Sequence, residues 1–321
     1  MRSQGRPPHE LRLSTRRRHF GQGARLLGLA SVLLSIVLLS CQPDLDISGD
    51  AREALKQGWE SLAVQEYSQS AAYFEAAYAK SERGTRGCAL ALYGLGCSTQ
   101  FKAVGRNSDD AKAYYSRAIA EDGNGDVAPW AALALARVDV IARLSRDIDE
   151  GALTGAELRG GYREVIAKYP GSVAAQEAAL HLASSLFASD RGAEAGEGDA
   201  LLQALTTEYP ESPYRSAAFR LLAIHAYREG RYSDQYNYLV KQIETLIDPE
   251  CYRADLYYNV AYQAETRLKH PDLAIIWYER LIQEYPDEVR RYQAQQAVER
   301  LKRQSLASID AAPAAFGEAA R

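Results

Sequence analysis

The chain has few of the side chains that build metal and redox sites. Its 321 residues include four cysteines and five histidines, and His9 and His19 lie within the basic N-terminal segment. No two Cys or His residues have the spacing of a zinc finger. Metalloprotease, nucleophile-elbow, phosphate-loop and dinucleotide motifs do not occur in the sequence either. We therefore expect no catalytic residues, no metal and no cofactor, and we favour a non-enzyme over an enzyme of unrecognised chemistry.

The cysteines do not form a disulfide framework. Cys88 and Cys97 are nine residues apart on one predicted helix. This spacing places them on opposite sides of the helix and about 13 Å apart along its axis. No disulfide closes across that distance. Cys251 can meet either of them only through tertiary packing. We expect these cysteines to act as small buried apolar residues.

Positive charge is scarce beyond the N-terminal segment. The chain has 38 Lys and Arg residues against 42 Asp and Glu residues, a net charge of −4. Residues 1–40 hold seven arginines and one glutamate, so the remaining residues carry a net charge of −10. Nucleic-acid binding needs a basic face for the phosphates, so nucleic acid is excluded as a partner. Membrane attachment has to depend on acyl chains rather than on adsorption to anionic lipid.

Residues 1–40 are predicted to be a lipoprotein signal peptide. Their arginines precede Leu26–Ser40, fifteen residues without a charge, which is typical of a signal h-region and short for a membrane span. The run ends in Leu-Leu-Ser-Cys at Cys41, which resembles the bacterial lipobox. That resemblance implies cleavage before Cys41 and acylation of its thiol and amine. An uncleaved signal anchor is the alternative, because the uncharged stretch continues to Pro43.

The lipobox resemblance implies a place in the cell envelope. Gln42, rather than aspartate, follows the cysteine, and by the sorting rule of enteric bacteria this favours the outer membrane, facing the periplasm, over the inner membrane. Arg17-Arg18-His19-Phe20 matches the core of a twin-arginine export signal, although chance explains so short a match better in an arginine-rich segment. Residues 41–50 are then a short tether between lipid and folded domain.

Tyr-Pro pairs recur at a nearly constant interval in the second half of the chain. They are Tyr169-Pro170, Tyr209-Pro210 and Tyr285-Pro286, with Asp248-Pro249 between the last two, and successive prolines are 40, 39 and 37 residues apart. A period in this range indicates a stacked repeat. Each proline stops the preceding helix, and Ser172 and Ser212 follow as caps, with Pro213 at the first helical position of its helix.

Apolar residues recur at helical spacing in two segments of each interval, and no strand is predicted. The sequence therefore predicts an all-α fold of about six helical hairpins: 52–64 with 67–80, 88–101 with 108–121, 128–145 with 156–169, 173–187 with 199–209, 214–228 with 232–247, and 254–268 with 272–285. A final helix, 287–304, lacks a partner and is expected to cap the stack. The stretches 145–160 and 190–199 are predicted loops, and 305–321 is a predicted flexible tail.

The hairpins resemble the tetratricopeptide repeat family over residues 51–304. That family has a small residue in the first helix, followed by alanine, a large aromatic residue, alanine and proline at set offsets in the second. The matching residues are Gly58, Ser70, Phe74 and Ala77 in the first hairpin, Leu95-Gly96, Ala111, Tyr115 and Ala118 in the second, and Ala274, Tyr278, Leu281 and Pro286 in the last. The middle hairpins match mainly at Tyr162 with Pro170 and at Leu202 with Pro210.

The Tyr-Pro-x-Ser motif, present as YPGS and YPES, more narrowly resembles that of the helical-repeat lipoproteins that assist outer-membrane assembly in double-membrane bacteria. These resemblances imply a superhelical solenoid whose first helices form a concave groove for a protein or peptide partner. A lipid-anchored scaffold in envelope assembly is the leading hypothesis. The alternative is an accessory subunit that presents substrate to a cell-wall enzyme.

Alignment with the tetratricopeptide family places the partner-binding groove on the first helices of the last two hairpins. In 214–228 it puts Phe219 and Ala223 at packing positions. The residues that it turns toward the groove are Arg220, Ile224, Tyr227 and Arg228, with Tyr258, Tyr262 and Glu265 at the corresponding places in 254–268. Tyr and Arg are the residues most often found at binding hot spots. The alternative is that these tyrosines only cover helix interfaces.

Processing at Cys41 is directly testable. Intact-mass measurement of the protein extracted from membranes should show the loss of residues 1–40 and the added mass of acyl chains. Cys41→Ser should abolish both, because the chemistry needs the thiol. A full-length, unmodified N-terminus would contradict the prediction, as would normal processing and anchoring of the serine variant.

Overall fold

The computed structural model describes residues 49–102, 107–144, 155–188, 192–246 and 250–317, and these residues form thirteen helices and no strand. The predicted signal peptide, Cys41, the tether as far as residue 48, and Asp248-Pro249 lie outside the described residues. The helices are α1 Ala51–Ala63, α2 Tyr67–Lys80, α3 Arg86–Phe101, α4 Ser108–Asp122, α5 Ala128–Leu144, α6 Gly155–Lys168, α7 Val173–Phe187, α8 Gly192–Glu208, α9 Arg215–Arg228, α10 Tyr232–Thr245, α11 Glu250–Thr266, α12 Pro271–Glu284 and α13 Arg291–Gly317.

Within the unit Gly49–Arg321, the helices form six consecutive hairpins, α1/α2 to α11/α12, and α13 packs on α12. Each first helix from α1 to α7 also packs on the first helix of the next hairpin. No comparable packing joins the second helices of successive hairpins in the described chain. The first helices of the first five hairpins therefore lie together. The predicted all-α solenoid with six hairpins and a capping helix is confirmed.

Large aromatic rings of the second helices fit against small residues of the first helices. A Cβ atom added to Gly58 or Gly94 would lie 2.7 or 2.4 Å from the ring of Phe74, which is fully buried. One added to Gly96 would lie 2.4 Å from the ring of Tyr115. Since real Cβ atoms do not approach so closely, glycine is what lets these helices meet. The contacts of Gly58 with Phe74 and of Gly96 with Tyr115 join residues that the family resemblance pairs, so the fold is tetratricopeptide-like.

The apolar core is divided among neighbouring hairpins rather than gathered at one centre. Helix α7 shows how: its Ala178 and Leu182 pack in a cluster with α5 and α6, whereas its Ala179 and Ala183 pack in another with α8 and α9. A third cluster joins α11, α12 and α13 with the end of α10. Each hairpin thus depends on its neighbours for burial, which is the behaviour of a repeat stack.

The thiols of Cys88 and Cys97 are buried and free. Burial raises the pKa of the Cys97 thiol to about 11, although hydrogen bonds with Tyr115 and Tyr93 oppose the shift. Both cysteines therefore serve as small packing residues, as expected. The side chain of Cys251 lies outside the described residues.

One of the two predicted serine caps is confirmed. The Ser172 hydroxyl accepts a hydrogen bond from the Ala175 amide at 3.1 Å, at the start of α7. Ser212 instead accepts from the Tyr214 amide at 3.2 Å, and α9 begins only at Arg215. Pro213 is therefore part of the turn and not the first helical residue, so that assignment was wrong.

The glycine- and acid-rich stretch 192–199 is helical, although 190–199 was predicted to be a loop. It forms the first two turns of α8. The carboxylates of Glu194 and Glu197 pair with Arg159 and Arg163 of α6 at 2.7 and 2.9 Å. A Cβ atom at Gly198 would meet the ring of Phe187 at 2.8 Å, so this glycine permits a close helix contact. Tertiary pairing thus overrides the weak helix propensity of glycine.

Other boundaries also moved, and helix α11 runs over Glu250–Thr266 rather than 254–268. Helix α6 begins at Gly155, so the predicted loop 145–160 is shorter than expected and its last six residues are helical. The final helix runs over Arg291–Gly317 rather than 287–304. The predicted tail 305–321 is therefore helical as far as Gly317, and its flexibility stays a prediction.

Two glycine substitutions should have opposite effects. Gly96→Ala should lower the free energy of unfolding by about 1–3 kcal/mol, because its methyl group would overlap the buried Tyr115 ring. Gly160→Ala should raise it by about 0.5–1 kcal/mol, because that helical position has no neighbouring atom within 4 Å. Urea unfolding of both variants checks the pair. A Gly96→Ala protein as stable as the wild type would contradict the close packing described above.

Candidate partner-binding face

The four residues predicted on α9 share one exposed side of that helix. Arg220, Ile224, Tyr227 and Arg228 are all exposed, and Ile224 and Tyr227 each keep 44% of their surface accessible. Their spacing of four, three and one residues places them along one helical stripe. Phe219 and Ala223 are buried, at 4% and 2% exposure. The register predicted for this helix therefore agrees with the structure.

The three residues predicted on α11 differ from one another in their surroundings. Tyr262 is exposed, with 48% of its surface accessible. Tyr258 is half-buried, and its ring contacts the rings of Tyr262 and Tyr278 and lies beneath the Arg290 guanidinium, 5.3 Å from the centroid.

Glu265 forms contacts within the fold. Its carboxylate pairs with Arg300 of α13 and accepts a hydrogen bond from the Tyr278 hydroxyl at 3.1 Å. These contacts join the last hairpin to the final helix. These contacts give Glu265 a structural role in capping the stack, and its place in the groove stays a prediction.

Arg267 and Tyr232 connect the last two hairpins, and sequence analysis overlooked both. The Arg267 guanidinium lies 5.9 Å from the ring centroid of Tyr227 and 5.1 Å from that of Tyr232. The two tyrosine rings are themselves 6.1 Å apart. The clue was present in the sequence, because Arg267 and Tyr232 stand at helix ends beside turns, where side chains of neighbouring hairpins meet. We call Ile224, Tyr227, Arg228, Tyr232 and Arg267 the Tyr227 patch.

The positive charges in and beside this patch lack acidic partners. Arg220, Arg228 and Arg267 form no ion pair with any described residue, and Arg228 makes only a long hydrogen bond of 3.5 Å to the Phe187 carbonyl. Three acids of the same hairpins are engaged elsewhere. Glu229 lies near His225, Asp234 pairs with Arg231, and Glu265 pairs with Arg300. The patch is therefore a basic and aromatic surface on an acidic protein.

His225 has a structural role beneath this face. It is buried, its ring stacks on Phe187 at a centroid distance of 4.1 Å, and its Nδ1 lies 3.0 Å from an Asp199 carboxylate oxygen. Arg231 also donates to Asp199 at 3.3 Å. These bonds join α8, α9 and the start of α10, so they fix the helix that carries Tyr227.

A second polar cluster joins successive first helices further up the stack. The Glu177 carboxylate of α7 pairs with Arg137 of α5 at 2.5 Å and accepts a hydrogen bond from the Tyr214 hydroxyl before α9. His181, one turn along α7, lies 3.6 Å away and stacks on Tyr162. Partial burial alone would raise the pKa of Glu177, but hydrogen bonds from His181, Tyr214 and Arg137 outweigh it and lower the pKa to about 2.

No group of three or more His, Cys, Asp or Glu side chains in the described ranges is placed to hold a metal ion. No helix in those ranges is long and apolar enough to cross a membrane.

The comparisons with known proteins show no family for this chain. No family model matches the chain, and no curated protein matches it. Among solved structures, PilW, a widely conserved type IV pilus biogenesis factor, is 17% identical over 76% of this chain and 98% of its own, with a TM-score of 0.47. The Cut9–Hcn1 hetero-tetramer of the APC/C is 15% identical over 85% of this chain and 46% of its own, with a TM-score of 0.45. The RpL4 assembly chaperone Acl4 is 18% identical over 81% of this chain and 99% of its own, with a TM-score of 0.39.

The Glu177 cluster predicts a stability effect that depends on pH. Glu177→Gln should lower the free energy of unfolding at neutral pH by about 1–3 kcal/mol, because it weakens charged hydrogen bonds. The ordinary pKa of 4.5 falls to about 2 on folding, so the contribution is full above pH 4.5 and is lost as the pH falls towards 2. Urea unfolding at pH 7 and pH 3 measures this. Exposed Glu75→Gln is the control, and an equal difference at both pH values would contradict the assignment.

Proposed function

We propose that this protein is a lipid-anchored scaffold that holds a protein or peptide partner on its first helices. The observation that carries the proposal is the exposure of Ile224, Tyr227 and Tyr262 on the first helices of adjacent hairpins. Exposed apolar side chains that lie close together mark interaction sites in many proteins. Tyr and Arg together supply apolar contact area, hydrogen bonds and charge, which is why they dominate binding hot spots.

The architecture supports a binding role. The first helices from α1 to α9 lie side by side, and repeat proteins bind through such extended surfaces. The surface of the Tyr227 patch is fixed from below by the His225 and Arg231 contacts. A partner therefore meets side chains that are already ordered, which lowers the entropic cost of binding.

The proposal also assigns the scaffold a place in the cell. Cleavage before Cys41 and acylation of that residue would anchor it to a membrane, and Gln42 favours the periplasmic face of the outer membrane. The short tether that ends at Asp50 would keep the stack near that surface. A role in assembling envelope proteins follows from the resemblance to the helical-repeat lipoproteins.

Site-specific photo-crosslinking tests the partner site. A photoreactive phenylalanine analogue at position 227 or 262 should crosslink a protein in intact cells. The matched control is position 276, because Ile276 is equally apolar and exposed, at 51%, but lies on a second helix. Crosslinks at 276 and none at 227 or 262 would move the site to the other side of the stack. Absence of crosslinks at all three positions would count against a scaffold.

A further inference from the structure

The Tyr227 patch places two arginines beside exposed apolar and aromatic side chains. Some arginines elsewhere pair with acids on neighbouring elements, as Arg86 does with Asp126 at 2.8 Å and Arg290 with Asp255 at 2.7 Å. Arg228 and Arg267 have no such partner in the described part of the chain, although the chain carries more acids than bases. Acids of another molecule would complement two such arginines and bring specificity to the contact.

The geometry of Arg267 also suits it to bind a carboxylate. Its guanidinium lies over the rings of Tyr227 and Tyr232, and contact with aromatic faces restricts its orientation. A guanidinium held in this way keeps its edge N–H groups for a planar, bidentate contact. Lysine would bind as a point charge and lack this selectivity.

Apolar surface lies directly beside the arginines. Ile224 is one turn before Arg228 on the same side of α9, and Tyr227 adjoins it. A partner that brings only negative charge would leave these side chains uncovered. The complementary partner therefore carries apolar side chains among its acids.

We infer that the Tyr227 patch binds an acidic protein segment in which Asp or Glu alternates with apolar residues. This inference rests on the proposed scaffold function and specifies the chemistry of its partner. A short segment fits better than a long polyanion or a membrane surface. Either of these would extend beyond two arginines and meet the carboxylates of Glu229 and Asp234.

Selection from a random 12-residue peptide library tests this inference. The purified protein should enrich peptides rich in Asp and Glu with interspersed apolar residues, relative to the starting library. A representative enriched peptide should bind Arg228→Glu/Arg267→Glu at least about tenfold more weakly than the wild type. Its affinity for the wild type should fall as salt is raised.

The control variant makes the same change in charge at two arginines outside the Tyr227 patch. Arg52→Glu/Arg303→Glu alters two exposed arginines outside the patch and should bind the peptide like the wild type. Arg228→Gln/Arg267→Gln removes the charge without reversing it and should also weaken binding. Thermal melts of all three variants should match the wild type, since these side chains are exposed.

Each other result has a definite meaning. Enrichment of neutral or basic peptides, or full binding by the glutamate variant, would overturn the acidic partner and leave the scaffold in place. Enrichment of no peptide, together with no crosslinks at 227 and 262, would overturn both. Sedimentation with phosphatidylglycerol vesicles that requires Arg228 and Arg267 would reassign the patch to anionic lipid and overturn the inference.

Discussion

The close fit of an aromatic ring against glycine is the contact on which the stack depends. Phe74 fills the space left by Gly58 and Gly94, and Tyr115 fills that left by Gly96. Both rings come from second helices. The glycines around Phe74 belong to the first helices of its own hairpin and of the next, whereas Gly96 belongs to the hairpin of Tyr115 itself. Phe74 thus sets both the angle within its hairpin and the distance to the next one. Residues on the opposite side of the first helices are released from packing and become available for contacts with other molecules.

The apolar core is divided among the hairpins, and polar contacts between neighbouring hairpins help to fix their order. Glu177 joins α5, α7 and the turn before α9, and Asp199 joins α8 to α9 and α10. These bonds tie elements that are far apart in sequence, yet each reaches only a neighbouring hairpin. The Tyr227 patch continues the same pattern, because Arg267 contributes to a surface that the preceding hairpin begins. Binding at this surface would therefore engage two repeat units at once.

The sequence pattern predicted the helix bounds correctly where local signals and packing agreed. The bounds of α2 and α7 were predicted to the residue, because apolar periodicity and flanking punctuation coincide there. It failed where distant partners decide the outcome. Residues 192–199 have the composition of a loop. They are helical because Glu194 and Glu197 form ion pairs with Arg159 and Arg163. Glu265 looks exposed from helical phase alone, but Arg300 and Tyr278 engage it. Arg267 lies beyond the end of its helix, where periodicity no longer says which way a side chain points.

The two buried thiols make the order of folding and oxidation matter. A thiol reacts as its thiolate, and burial holds Cys97 in the protonated form. Once folded, the protein therefore keeps the Cys97 thiol in an unreactive state. Before folding, the same sulfurs lie nine residues apart on a flexible chain and are free to join. That bond would be incompatible with helix α3, so a chain oxidised too early would be barred from its native stack.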